Sequence, residues 1–391
     1  MTDARDRLGK DTRLTHAGRD PERFEGMVNP PVYRGSTVLF EDMDALRRAN
    51  ADRFAGFRYG RYGTPNTLAL EEAIAAVEGG YRAVLLPGGL AAITFTLTAL
   101  LKPGDHILMA DTVYGPTRRF CDHQLHGIGI ETTYYDPTAG ARIEALFRAN
   151  TRLVFCESPG SLTFEVQDLP AIAEVAHRRG ALVLADNTWA TPLGIDAFAL
   201  GVDISIHAAT KYISGHSDVM LGTVSAAEPL WRKIRGHVAD FGVCVSPDDC
   251  YLALRGLRTL SARLARHESS GLAVARFLEG EPRVARVIHP ALESHPQHAL
   301  WRRDFRHACG LFGIELATDD PGAVDRFIGA LQLFGLGYSW GGYESLALPS
   351  DPARSRSATR YVGQGPLVRL HIGLEDVDDL IRDLAAGLAA I

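Results

Sequence analysis

Apolar residues along the chain fall into two rhythms, short unbroken runs and longer stretches with helical spacing, and from about Thr64 the two alternate. The runs Ala83 to Leu86, His106 to Ala110, Thr132 to Tyr135, Arg152 to Cys156, Ala181 to Ala185 and Val202 to Ile206 read as buried strands. Between them, Thr64-Pro65 is a good helix start and Gly79-Gly80 a good stop. A second helix follows the turn Pro87-Gly88-Gly89-Leu90, and others are expected near Thr117 to His126 and from Pro170 to Arg179. Such alternation predicts an α/β fold whose mostly parallel sheet is covered on both faces. Residues 1–60 lack steady periodicity and read as an extended arm with one short helix near Glu41 to Asn50. After Lys211 comes a glycine-punctuated loop, then a helix from Pro247 past Arg263 that bridges to a second unit. That unit shows strands at Ala285 to Ile288, Phe312 to Ala317 and Leu367 to Ile372, with helices at Ala323 to Leu331 and Val377 to Ala390. The predicted division is an arm at 1–60, a ligand-binding domain at 61–256 and a smaller α+β domain at 257–391.

A length of 391 residues exceeds what one hydrophobic core normally serves, in keeping with that division. With 46% hydrophobic and 23% charged residues, the composition is that of a soluble globular protein. A net charge of −6 and the lack of a basic stripe argue against nucleic acid as a partner. Five cysteines, an odd number without a CxxC pair, fit a reduced, cytoplasmic setting. The stretch Met1 to Arg13 has no apolar core, so no signal peptide is expected there. Leu90 to Leu101 carries three threonines and is too short to span a bilayer. The pairs His123/His126 and His295/His298 lack a third ligand nearby and read as surface histidines rather than a metal site.

The chemistry concentrates where strands end. In a parallel sheet the carboxyl ends of strands face the ligand crevice, so Asp186 and Lys211, each just past an apolar run, are well placed. A lysine in a closed crevice is costly unless neutralised, paired or covalently used. One arrangement uses both groups: lysine forms a Schiff base with pyridoxal phosphate, and aspartate pairs with the pyridine nitrogen. The plain alternative is a helix N-cap and a solvated loop lysine. Strand, Gly88-Gly89 turn and helix start make a phosphate-binding geometry through free backbone N–H groups, or merely a tight turn; neither GxGxxG nor a Walker loop is present. Tyr114, after another strand, is either cover over the core edge or a platform for a planar ring. The loop Phe57 to Gly63 is a turn with stacked side chains or a source of phosphate donors at Tyr59 and Arg61. Tyr338-Ser339-Trp340-Gly341-Gly342-Tyr343 forms a tight hairpin or a pocket wall. Arg369 is either solvated at its tip or a planar fork for a carboxylate.

Taken together, these residues resemble the Cys/Met-metabolism family of pyridoxal-phosphate enzymes, in the fold type I class, from about Thr12 to the end. The most specific match is Ala209-Thr210-Lys211-Tyr212 with Gly215-His216-Ser217-Asp218. The resemblance implies Lys211 as the cofactor lysine, Asp186 on the pyridine nitrogen and Tyr114 stacked on the ring. It assigns Gly89, Leu90 and Thr210 to the phosphate, with Tyr59 and Arg61 reaching the neighbouring subunit's cofactor. Arg369, assisted by Ser339, is implied as the anchor of the substrate carboxylate. Glu157-Ser158-Pro159-Gly160-Ser161 and the Tyr338 to Ser345 stretch are similar to those of bacterial cystathionine β-lyases, so β-elimination from a thioether amino acid is expected, with Tyr338 and Trp340 walling the substrate. Two departures, Gly88 and Ala208, stand where relatives have serines, and imply a leaner phosphate grip. Arg119 replaces an acid of some β-lyases, leaving the preferred thioether open. The family also implies a homotetramer of dimers with shared sites. A γ-lyase or cysteine desulfhydrase is the near alternative, and a non-catalytic ligand-binding protein the distant one.

Overall fold

The computed structural model describes residues 8–391; the first seven residues of the expected arm, with the start of the stretch read for a signal peptide, lie outside it. Strands β1 (Arg82–Leu86), β2 (His106–Ala110), β3 (Glu131–Tyr135), β4 (Thr151–Glu157), β5 (Leu182–Asp186), β6 (Ile204–Ala208) and β7 (Gly222–Ala226) form one sheet in the order β1-β7-β6-β5-β4-β2-β3. Neighbours from β6 through β3 are parallel, while β7 runs antiparallel to both β6 and β1. The strand β7 is a correction to the expected glycine-punctuated loop. Its sequence, Gly-Thr-Val-Ser-Ala, is weakly apolar, yet every residue is buried. Close approach explains the poor pattern, because a Cβ on Gly222 would strike the Gly88 carbonyl.

Helices cover both faces of this sheet. In chain order they are α1 (Lys10–His16), α2 (Met43–Ala51), α3 (Pro65–Glu78), α4 (Gly89–Leu100), α5 (Gly115–Phe120), α6 (Leu169–Arg178), α7 (Thr191–Gly194) and α8 (Glu228–Asp240). The helix α3 starts where Thr64 and Thr67 cap each other, the Thr64 N–H donating to Thr67 Oγ1 at 3.2 Å. The arm holds α1 as well as the expected α2; Leu14, 1% exposed, ties α1 to the core. One buried leucine in seven residues is too faint a periodicity to read. Likewise α8, unforeseen, buries Trp231, Ile234 and Val238 on one face.

Two helices, α9 (Pro247–Arg258) and α10 (Leu260–Glu279), replace the single bridging helix expected, and the break falls at Thr259. Beyond them lies a second, antiparallel sheet, β10-β11-β9-β8, made of β8 (Val284–Ile288), β9 (Leu311–Leu316), β10 (Leu346–Ser350) and β11 (Leu367–His371). Its apolar face packs with α10, α12 (Ala323–Ala330) and α13 (Val377–Ala389) through Val274, Phe312, Phe327, Val368 and Leu384. Helix α11 (His298–Asp304) connects β8 to β9. His295 corrects the reading of surface histidines: it is buried, and desolvation lowers its pKa to about 4. His123 and His126 are exposed.

The two sheets are stapled at one point by a buried carboxylate. Asp111, just past β2, accepts backbone N–H groups of Ser357 at 3.0 Å, Ala358 at 3.1 Å and Thr359 at 2.7 Å, plus the Thr359 hydroxyl at 2.7 Å. Arg118 completes the set as an ion pair. Burial opposes the charge, but these donors hold the Asp111 pKa below its usual value.

Candidate active site

The carboxyl ends of β4, β5 and β6 lie side by side, and each delivers a polar group. Asp186 ends β5; Thr188 N–H donates to its Oδ1 at 3.0 Å, and the Thr188 hydroxyl reaches the same oxygen. Thr188 Oγ1 also accepts the Ala208 N–H at 2.9 Å, so one threonine ties the ends of β5 and β6 together. Among the described residues no hydrogen bond lands on Asp186 Oδ2. Burial raises the Asp186 pKa, opposed by the Thr188 donors and by the charges of His207 and Lys211. Below it, His207 Nε2 lies 3.0 Å from Glu78 Oε2, with both residues buried.

Past β6 the chain turns through Ala209 and Thr210 to Lys211. Thr210 Oγ1 accepts the Leu221 N–H at 2.9 Å and donates back to the Leu221 carbonyl at 3.2 Å, pinning the turn to the approach of β7. Lys211 Nζ is 2.5 Å from Ser339 Oγ and 5.3 Å from the centre of the Trp340 ring. Desolvation lowers the amine pKa to about 8, the charge of Arg369 helps, and Asp186 opposes. An amine so tuned is a base and nucleophile at physiological pH.

Ser339, Trp340 and Gly341 come from the loop before β10, in the second sheet's unit, and they lie against Lys211. Ser339 has φ 79° and Gly341 φ 83°, both left-handed. A Cβ at Gly341 would sit 2.8 Å from Tyr212 N and 3.0 Å from Lys211 Cα, so only glycine permits this approach. Ser217 Oγ donates to Glu344, 2.6 Å from Oε1, a second stitch between the lysine loop and this one. Arg369, on β11, donates through Nη2 to the Ser339 carbonyl at 2.9 Å; burial lowers its pKa to about 10. The Tyr114 N–H, at the start of α5, donates to Glu157 Oε2 at 2.7 Å. Burial raises the Tyr114 phenol, the neighbouring carboxyl groups of Glu157 and Asp186 act in the same direction, and Arg369 opposes.

The start of α4 supplies a further element. Gly88, its N-cap, offers no side-chain cap, and Leu90 in the first turn is 39% exposed. A Cβ on Gly89 would lie 2.5 Å from Ala208 Cβ, so glycine at 89 lets the helix start meet the end of β6. A Cβ at Gly88 would meet only the end of Met220, at 3.9 Å, so the missing hydroxyl there is not forced by packing.

Lys211, Ser339, Trp340 and Arg369 are joined by these contacts, while Asp186 and Arg369 act on the Tyr114 phenol in opposite directions. Tyr59 and Arg61 are not drawn in. Tyr59 pairs with Thr37, and Arg61 donates to the Ala239 carbonyl at 2.7 Å and to Tyr62 Oη at 3.2 Å. Tyr338 is 88% exposed, and Arg119 has no hydrogen bond among the described residues. Sequence reading missed Thr188 as the clamp on Asp186; its signal was a threonine two positions after a strand-end aspartate, a common turn pattern. It also missed Asp111 and the role of Gly341, whose partners lie far along the chain.

The residues fit pyridoxal phosphate. An uncapped helix start suits a phosphate dianion. A buried carboxyl with an open Oδ2 suits a ring N–H⁺, and a desolvated amine suits an aldehyde. Residues 11–389 match the family described as Cys/Met metabolism PLP-dependent enzyme. The chain belongs to this family. Its fold type I architecture follows, and pyridoxal phosphate is the cofactor. Among relatives, the chain is 52% identical to a "Putative cystathionine beta-lyase" of Rhizobium johnstonii, covering 98% of this chain and 96% of that one. It is 42% identical to cystathionine beta-lyase MetC of Escherichia coli, over 97% and 98% of the two chains. The crystal structure of metB from Corynebacterium glutamicum superposes with a TM-score of 0.91 at 32% identity, covering 98% of this chain and 99% of that one.

Proposed function

We propose that this enzyme is a carbon–sulfur lyase that cleaves L-cystathionine by β-elimination to homocysteine, pyruvate and ammonia. Supporting this reading is the apposition of the Lys211 amine, the Ser339 hydroxyl and the Trp340 ring, together with the cystathionine β-lyase names of its relatives. Pyridoxal phosphate supplies, when bound, an electron-withdrawing ring that stabilises negative charge at a substrate's Cα. Gly89 and Leu90 would hold its phosphate through backbone N–H groups, with Thr210 beside them, and Asp186 would keep the ring nitrogen protonated. Tyr114 would cover the ring face.

The substrate carboxylate would pair with the Arg369 guanidinium, whose planar fork matches two oxygens. Ser339, bonded to both Lys211 and Arg369, sets the distance between carboxylate and base. Lys211 Nζ, as the free base, would take the Cα proton, and the thiolate would leave from Cβ. The Trp340 ring limits room for the longer path of γ-elimination, which needs a second deprotonation at Cβ.

The assembly belongs to the same proposal: a cytoplasmic homotetramer of dimers, with Tyr59 and Arg61 completing the partner's phosphate site. Apolar side chains left exposed on one chain, Val28 at 58%, Leu39 at 90% and Phe241 at 67%, support burial between subunits. Among the described residues no helix is long and apolar enough to cross a membrane.

The test of reaction type is chromatography of keto acids after incubation with pure L-cystathionine. Pyruvate as the main keto acid is expected; 2-oxobutyrate in its place would make the enzyme a γ-lyase.

A further inference from the structure

Glu157 closes β4 as Asp186 closes β5, and the two are register partners in a parallel pair. Adjacent strands lie about 4.8 Å apart with in-register partners on one face, so the two carboxyl groups leave the sheet as neighbours. Glu157 Oε2 accepts the Tyr114 N–H at 2.7 Å. Among the described residues, Glu157 Oε1 and Asp186 Oδ2 have no hydrogen-bond partner, and neither is sealed off by protein. Glu157 forms no ion pair among them. The charged side chain that reaches it is Asp186, from β5, and the Tyr114 phenol at the start of α5 is the other titratable neighbour. The cations of the site act elsewhere, Arg369 on Tyr114 and Lys211 on Asp186.

Two carboxylates side by side at one sheet edge do not both ionise readily. Asp186 is equipped to keep its charge, with an N–H and an O–H from Thr188 and cations within reach. Glu157 has a single backbone N–H, and burial beside Asp186 pushes its carboxyl well above the usual range.

We propose that Glu157 is a positioning residue that works uncharged: one oxygen fixes the backbone of Tyr114, and its retained proton leaves Asp186 as the sole negative charge at the rim. The proposal rests on the reading of Tyr114 and Asp186 as cofactor residues. It gives the Glu157-Ser158-Pro159-Gly160-Ser161 stretch a physical role at its first residue.

Infrared difference spectra of the full-length, cofactor-loaded protein at neutral pH, wild type minus Glu157→Gln, read the protonation state directly. The expected loss is the C=O stretch of a protonated carboxylic acid. Loss of carboxylate bands instead overturns the proposal. Glutamine keeps the acceptor for the Tyr114 N–H, so kcat/KM and its pH profile are expected within about threefold of wild type. Glu157→Leu removes the acceptor, and a fall of roughly 10- to 100-fold is expected from a displaced Tyr114. Circular dichroism shows whether each variant folds. Should the leucine variant fail to fold, the glutamine variant still decides: a folded Glu157→Gln more than about tenfold impaired means that the charge is required. The infrared result is independent of the substrate, so a wrong thioether assignment fails separately.

Discussion

The amine of Lys211 and the hydroxyl of Ser339 lie 2.5 Å apart, one at the end of the parallel sheet and one in the loop before β10. The same serine's carbonyl accepts Arg369, so one residue in a left-handed conformation holds the amine and the guanidinium in a fixed relation. Non-glycine residues held at positive φ persist where their surroundings over-determine them.

On the proposed reading, replacement of Lys211 by Ala removes both the base and the site of covalent attachment. Borohydride reduction of the wild type, followed by peptide mapping, is expected to label Lys211, and the variant to lose on the order of 10⁴-fold or more in kcat. Label on Lys102 or Lys233 would rule out the assignment.

Activity is expected to rise with pH through about 8, because the depressed Lys211 amine must be free to accept the Cα proton. Arg369 helps to depress it. Arg369→Leu should therefore move the ascending limb of the kcat profile to higher pH while raising KM. An unmoved limb would mean that another group titrates.

Asp186→Asn exchanges a carboxylate for a neutral amide that cannot stabilise a ring proton. A loss in kcat of roughly 100-fold or more is expected, with the lysine bond to the cofactor still visible in the absorbance spectrum. Near-wild-type turnover would refute the pairing with the ring nitrogen.

At Gly341 a methyl group has no room, since its Cβ would fall 2.9 Å from the Lys211 carbonyl carbon at φ 83°. Gly341→Ala should cost about 1–3 kcal/mol of stability in chemical denaturation and should also lower kcat by displacing the lysine. A variant of unchanged stability and turnover would show that the loop yields freely.

Tyr59 and Arg61 make their contacts within one chain away from Lys211, and the proposed assembly gives them a role at a partner's site. Arg61→Ala and Lys211→Ala proteins, each inactive, are expected to regain activity when mixed, because a hybrid dimer contains one intact site. Subunit exchange seen by mass without recovered activity would exclude sharing.

Much of the large sheet was legible because β2, β4, β5 and β6 are continuous apolar runs buried on both faces. Asp186 and Lys211 stood out as polar groups interrupting such runs. The strand β7 hid because its glycine and small residues answer to neighbours, Gly88 among them, rather than to a periodic pattern. Thr188, Asp111 and Gly341 were opaque for a related reason. Thr188 ties Asp186 to Ala208, 20 positions on, Gly341 packs on Lys211 and Tyr212, and Asp111 reaches as far as Thr359, 248 positions on; contacts at such range leave no periodic signature.

Asp111 also imposes an order in time. Its backbone donors at Ser357 lie 246 positions downstream, an interval of roughly 12–50 s at a synthesis rate of about 5–20 residues per second. Until that strap emerges, the rim beside Tyr114 carries a carboxylate lacking most of its native donors. The end of β2 therefore waits on distant chain: Asp111 meets its backbone donors only when the last tenth of the polypeptide arrives.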